Sequence, residues 1–111
     1  MADFIKNISI AEPMQLKSQL PYQKGEILNK VVVKNAGVSI ILFSFAKGEE
    51  LTSRGSQGDA LVLCVDGTER ITIDQQEMIL HEGESVVIPA RHAYSFFGQE
   101  DFKMLLTLVL E

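Results

Sequence analysis

The strongest structural signal in the chain is the stretch from residue 60 to residue 74, which reads ALVLCVDGTERITID. Ala60 to Val65 is apolar on both faces, which indicates a strand in the middle of the fold. Asp66-Gly67 supplies the positive φ that a tight hairpin turn requires, so we predict a hairpin at this point. In the next strand Ile71 and Ile73 alternate with polar residues, which predicts one buried face and one wet face.

Short segments rich in β-branched and apolar residues recur along the chain from Glu26 onward. No segment in this region repeats at the 3.6-residue period over the length of a helix. The predicted strands are Ile27 to Lys34, Val38 to Ala46, Ala60 to Val65, Glu69 to Asp74, Glu77 to Leu80, Ser85 to Ile88, Ala93 to Phe97 and Phe102 to Leu110. The last strand is apolar on both faces, and we expect it between two neighbours rather than at an edge. The spacing predicts an all-β sandwich or barrel.

Composition indicates a single small domain. The chain has 111 residues, 46% of them hydrophobic, which is enough for one core and too short for two domains. The single cysteine, Cys64, cannot form an intrachain disulfide, and the two histidines, His81 and His92, are too few for a site of three imidazoles. We predict a short irregular or one-turn helical N-terminal segment over residues 1–25, packed on the barrel or on a dimer partner. The β-barrel domain is expected over residues 26–111.

Charge is unevenly divided along the chain. Residues 1–47 contain three acidic residues and six lysines, a net charge of +3, whereas residues 48–111 contain twelve acidic and four basic residues, a net charge of -8. Nucleic acid, which requires clustered basic residues, is not an expected partner. The apolar stretches are far shorter than the roughly 20 residues of a membrane span, so no membrane partner is expected either. The first residues contain no recognisable secretory signal, and together with the unpaired Cys64 this favours the cytoplasm.

Two stretches resemble the signature motifs of the cupin superfamily. The first is residues 48–67, GEELTSRGSQGDALVLCVDG, which keeps both glycines of the first motif, and the second is residues 83–94, GESVVIPARHAY, which keeps its glycine and proline. The resemblance covers about residues 27 to 110 and is closest to small single-domain bacterial cupins of the RmlC-like kind. It implies an all-β fold, a single-domain cupin jelly-roll β-barrel.

The resemblance also implies where a metal would bind, and these positions carry other residues. In place of the usual histidines and carboxylate the chain has Arg54, Ser56, Tyr94 and either Asp59 or Ala60. His92 lies two residues before the position of the second-motif histidine. A guanidinium stays protonated and has only donors, so Arg54 would repel a cation rather than bind it. We therefore expect no metal and no other cofactor.

The replacements predict a small-molecule site in place of the metal. Side chains two residues apart in a strand share a face, so the barrel would gather these groups on its inner wall among aliphatic side chains. The expected ligand is anionic or carbonyl-bearing, because the site offers hydrogen-bond donors. The candidate ligand-binding residues are Arg54, Ser56, Asp59, His92 and Tyr94. No catalytic residue can be assigned.

Three other functions remain open from the sequence. A metal-dependent cupin enzyme of the dioxygenase or isomerase type would need a non-standard ligand set, formed by His92 with Asp59, Glu49 or a second chain. A metal-free enzyme would use Tyr94 or His92 as acid or base. A structural or regulatory domain would bind no ligand. The resemblance also implies a homodimer, and the apolar strands between Ile27 and Ala46 could pair across its two-fold axis.

Overall fold

The computed structural model describes residues 4–111, whose regular secondary structure is almost entirely β-strand. The strands are β1 Ile27–Lys34, β2 Val38–Phe45, β3 Glu50–Ser53, β4 Asp59–Ile73, β5 Gln76–His81, β6 Ser85–Ile88, β7 Tyr94–Phe97 and β8 Phe102–Val109. One 3₁₀ turn, Leu16–Ser18, precedes them. The predictions of an all-β barrel and of a one-turn helical N-terminal segment are confirmed. Within residues 4–111 no helix is long and apolar enough to cross a membrane.

The hairpin predicted at Asp66-Gly67 is wrong, because these two residues lie inside the 15-residue strand β4. The register between β4 and β8 shifts between Cys64 and Asp66, and Gly67 has φ 74°. A bulge with a positive-φ glycine bends a strand without ending it. The turn that closes the hairpin of β4 and β5 lies later, at Asp74, which has φ 57°. The sequence also missed the short strand β3.

The bend divides β4 between the two sides of the barrel. Residues 59–67 pair with β8 and residues 60–63 with β6, whereas residues 68–73 pair with β5 and residues 70–73 with β7. Both termini of β4 therefore lie at one end of the barrel, where Ile73 pairs with Tyr94, and the bend lies at the other end. We call these the Tyr94 end and the Glu69 end.

The core fills the interior of the barrel. Phe45, Phe96 and Phe102 are fully buried there, and the rings of Phe45 and Phe102 stack with their centroids 4.5 Å apart. Cys64 is fully buried in the same core, where it packs as a small hydrophobic side chain. Strand β8 lies between β2 and β4, which confirms that this doubly apolar strand is internal.

The N-terminal segment lies on the outside of the barrel. The Ser44 hydroxyl of β2 donates to the carbonyl of Pro21 at 2.7 Å, and the Tyr22 hydroxyl donates to Asp66 of β4 at 2.5 Å. The Lys103 ammonium of β8 donates to the carbonyl of Lys17 at 2.5 Å and stands 4.5 Å from the centre of the Tyr22 ring. These contacts hold residues 17–22 across three adjacent strands.

Candidate functional site

All five residues proposed from the sequence lie at the Tyr94 end, where two loops meet. The backbone N–H of Arg91 donates to the carbonyl of Ser56 at 2.8 Å, and the N–H of Ala90 donates to the Asp59 carboxylate at 2.8 Å. Gly55 has φ 120°, and a Cβ at this position would come within 2.9 Å of the Arg91 backbone. Glycine is therefore required for the loops to approach so closely.

Ser56 and Asp59 have local structural partners. The Ser56 hydroxyl donates to the carbonyl of Gly58 at 2.7 Å, and the Asp59 carboxylate is occupied by the N–H of Ala90. Asp59 is also exposed. The Ser56 side chain thus braces its own loop and the Asp59 side chain joins the two loops, and neither belongs to the buried inner wall where the sequence placed them.

His92 also lies at the surface of this end rather than inside the barrel. Its Nδ1 is 2.6 Å from a carboxylate oxygen of Asp74, and both side chains are about half exposed. Asp74 forms the turn between β4 and β5 and donates its N–H to the carbonyl of Ala93 at 2.7 Å. The pair therefore joins this turn to the start of β7.

Tyr94 is the one candidate that lies on the inner wall. It is 9% exposed, its ring centre is 5.0 Å from that of Phe96, and it pairs with Ser53 of β3 and Ile73 of β4. Arg54 follows Ser53 directly and is exposed at the rim. Among the described residues the Tyr94 hydroxyl has no hydrogen bond, and the Arg54 guanidinium has neither a hydrogen bond nor an ion pair.

The motif positions of this chain do not fit a metal. Ala60 is buried and has no donor atom, and Arg54 is a fixed cation. Throughout residues 4–111 no three His, Cys, Asp or Glu side chains are placed so that they could hold a metal ion. The alternative set of His92 with Glu49 does not assemble within one chain. Glu49 lies at the Glu69 end, where its carbonyl accepts the N–H of Gly98.

The sequence missed one further residue of interest, Glu69. It is fully buried on the inner wall of β4, and neither carboxyl oxygen has a hydrogen-bond partner among the described residues. Burial raises the pKa of Glu69 to about 8. Burial also raises the pKa of the Cys64 thiol to about 12, with a smaller contribution from the nearby Glu69 carboxylate. The alternation of Ile71 and Ile73 already placed Glu69 on their dry face, and this was the signal that could have identified it.

The architecture defines a small β-barrel with a loop-lined end and with donor side chains at the motif positions. A family model described as Cupin domain matches residues 41–109, and the chain belongs to this family. No curated protein matches the chain.

The chain is similar to three solved structures whose names state no activity. A conserved protein of unknown function from Streptococcus pyogenes is 32% identical with a TM-score of 0.94, over 99% of this chain and 96% of its own. A cupin superfamily protein from Desulfitobacterium hafniense is 30% identical with a TM-score of 0.91, over 96% and 98%. A Cupin 2 conserved barrel domain protein from Leptotrichia buccalis is 37% identical with a TM-score of 0.81, but its match covers 84% of this chain and 45% of that one.

Proposed function

We propose that this chain is a metal-independent, small-molecule-binding cupin whose ligand, anionic or carbonyl-bearing, sits at the Tyr94 end. The observation that carries the proposal is the hydroxyl of Tyr94, which bonds to none of the described residues and lies where the inner wall around it is apolar. A phenol held in this way has its ring fixed by packing and its hydroxyl available to a ligand. Half-buried Ile73 and Leu108 supply apolar wall beside it.

Arg54 gives the site its preference for an acceptor group. Its guanidinium has no partner among the described residues, and neither has that of the neighbouring Arg91, but Arg54 adjoins Ser53, which pairs with Tyr94. Residues 48–111 carry a net charge of -8, so two unneutralised cations at the rim are a local exception that favours an anion or carbonyl oxygen. In this proposal Ser56, Asp59 and His92 position the rim loops around the ligand.

A ligand screen followed by variants tests this proposal. Thermal shift with a panel of small carboxylates, oxo acids, aldehydes and ketones selects a compound, and calorimetry measures its Kd. We expect Arg54→Ala to weaken binding by about 10- to 100-fold and Tyr94→Phe by about 5-fold, the sizes typical of charged and neutral hydrogen bonds. Arg91→Asn is the matched control, because it removes a neighbouring exposed cation and tolerates the φ of 67° at this position. Unchanged binding by Arg54→Ala would refute the proposal, as would a panel without any binding compound.

We also propose that the chain functions as a homodimer in the cytoplasm. The outer faces of β4, β6 and β8 expose Leu61 at 44%, Val87 at 57% and Val109 at 50%, and the N-terminal segment exposes Phe4 at 92%. Large apolar side chains grouped on one sheet favour a protein contact. Light scattering should give twice the 12.3 kDa of the chain, and a 12.3 kDa species at working concentration would contradict the dimer.

The free thiol of Cys64 supports the proposed cytoplasmic location, because thiols stay reduced in that compartment.

A further inference from the structure

The Glu69 end contains a buried ionisable side chain, and no hydrogen bond from the described residues offsets its loss of solvation. Both carboxyl oxygens of Glu69 are withdrawn from solvent, and within residues 4–111 neither has a hydrogen-bond partner. Its cross-strand partner is Leu80, and the stacked rings of Phe45 and Phe102 fill the same end of the barrel. Natural proteins rarely keep a buried polar group unsatisfied, because its desolvation is costly.

The charged groups on the surrounding strands do not neutralise Glu69. Each of these groups is exposed, points to the outside or lies at the other end of the barrel. They are Glu50 on β3, Asp66 and Arg70 on β4, Glu77 and His81 on β5, Tyr94 on β7 and Lys103 on β8. Strands β2 and β6 contain no titratable residue. Cys64 is the titratable group that shares the inner wall with Glu69.

Glu69 and Cys64 both lie in the least paired stretch of β4, residues 64–69, none of which has a strand paired on both sides. Pairing with β8 ends at Gly67, and pairing with β7 begins at Arg70. Thr68 and Glu69 between them are paired on one side, with His81 and Leu80 of β5. Segments with fewer backbone pairings open at lower free energy than the rest of a domain.

We propose that Glu69 is a pH-controlled latch, whose ionisation opens the Glu69 end locally and uncovers Cys64 while the Tyr94 end stays folded. As an uncharged acid the side chain tolerates the apolar interior, whereas a carboxylate requires water or donors that it can reach by moving outward. Burial raises the pKa of Glu69 from its ordinary 4.5 to about 8 in the closed barrel. Opening therefore becomes more favourable as pH rises between these values, and the effect levels off above the upper one.

The thiol of Cys64 reports this opening, since it is the one cysteine of the chain. We would label it with 4,4′-dithiodipyridine between pH 5.5 and 7.5 and divide the rate for the urea-unfolded chain by that for the folded chain. We call this ratio the protection of the thiol. Taking the ratio removes the pH dependence of the thiol's own reactivity. We expect protection to fall about 100-fold in the wild type, roughly tenfold per pH unit for one proton, and to stay within about threefold in Glu69→Gln. Parallel falls in both proteins would overturn the proposal.

A second reporter separates local from global opening. Ala60 lies on the inner wall of β4 at the Tyr94 end and is 1% exposed, so Ala60→Cys in a Cys64→Ala background places the thiol on the same strand at the opposite end. Because global unfolding also releases the Glu69 proton, the protection of this thiol should fall with the same slope but stay about tenfold or more above that of Cys64 at each pH, and equal protection at the two positions would refute a local latch. If Glu69→Gln does not fold, Glu69→Met provides the comparison with the same two outcomes.

Discussion

The two ends of the barrel are built from the same strands but differ in whether their polar side chains have hydrogen-bond partners or contact with water. At the Tyr94 end the polar side chains lie in loops, where Asp59 and His92 find local partners and Arg54 reaches water. At the Glu69 end the aromatic rings close the interior, and a carboxyl is left without a partner inside it. Our two proposals follow from this difference: the first end accepts a ligand, and the second responds to pH through its buried carboxyl.

The largest effect is expected from Gly67, which forms the bend that creates the Glu69 end. A Cβ there would collide with the backbone carbonyl of Asp101 in addition to the strain at φ 74°. Gly67→Ala should lower the free energy of unfolding by about 3 kcal/mol or more. Gly83→Ala is the control, because Gly83 has φ 89° with open space around it, and should cost about 1 kcal/mol. Equal losses in urea denaturation would show that the collision contributes nothing.

The buried carboxyl gives the next largest effect. Between pH 4.5 and 8 the folded chain retains a proton on Glu69 that the unfolded chain releases, so a rise in pH through this window favours unfolding. The free energy of unfolding should fall by about 1.4 kcal/mol per pH unit relative to Glu69→Met, and the difference should level off above pH 8. Denaturation curves for both proteins at pH 5, 6 and 7 measure this. A constant difference across the three values would contradict the raised pKa.

The half-buried Tyr22 and the buried Tyr94 allow a direct comparison between a hydroxyl with a hydrogen-bond partner and one without a partner among the described residues. Tyr22→Phe removes the hydrogen bond to Asp66 that fastens the N-terminal segment, and should lower the free energy of unfolding by about 1 kcal/mol. Tyr94→Phe should change it by less than about 0.5 kcal/mol, since its hydroxyl bonds to none of the described residues. Thermal denaturation measures both, and a larger loss in Tyr94→Phe would reveal a structural partner for that hydroxyl.

The smallest effect is expected at the exposed pair of His92 and Asp74. Although their atoms approach to 2.6 Å, both side chains are about half exposed, and solvent screens such pairs. His92→Gln should lower the free energy of unfolding by about 0.5 kcal/mol or less at pH 6. A loss above about 1.5 kcal/mol would show that the pair is a main support of the rim.

The fold could be predicted from the sequence because the strand signals are local. Ile27 to Lys34 and Ser85 to Ile88 coincide with β1 and β6, since alternation and flanking turn residues suffice to define such strands. The function of Gly67 could not be read in this way. Asp-Gly fits a tight turn and a bulge equally well, and the contact with β8 decides between them.

The site was harder to predict than the fold. The motif spacing brought the five candidate residues to one end, but which of them point inward depends on the loop contacts between Ser56 and Arg91 and between Asp59 and Ala90. Those contacts join residues more than 30 positions apart in the chain, which no local pattern reveals. Tyr94 could be placed inward because its position follows from period two in a strand.

Our central claim is that the Tyr94 end binds the ligand and the Glu69 end does not. The most direct test measures the shift in melting temperature that one ligand causes in two variants. The compound selected by the screen should stabilise Glu69→Gln as much as the wild type at pH 6, and Tyr94→Phe combined with Arg54→Ala should lose the shift. A shift that survives in the double variant, or disappears in Glu69→Gln, would contradict the claim.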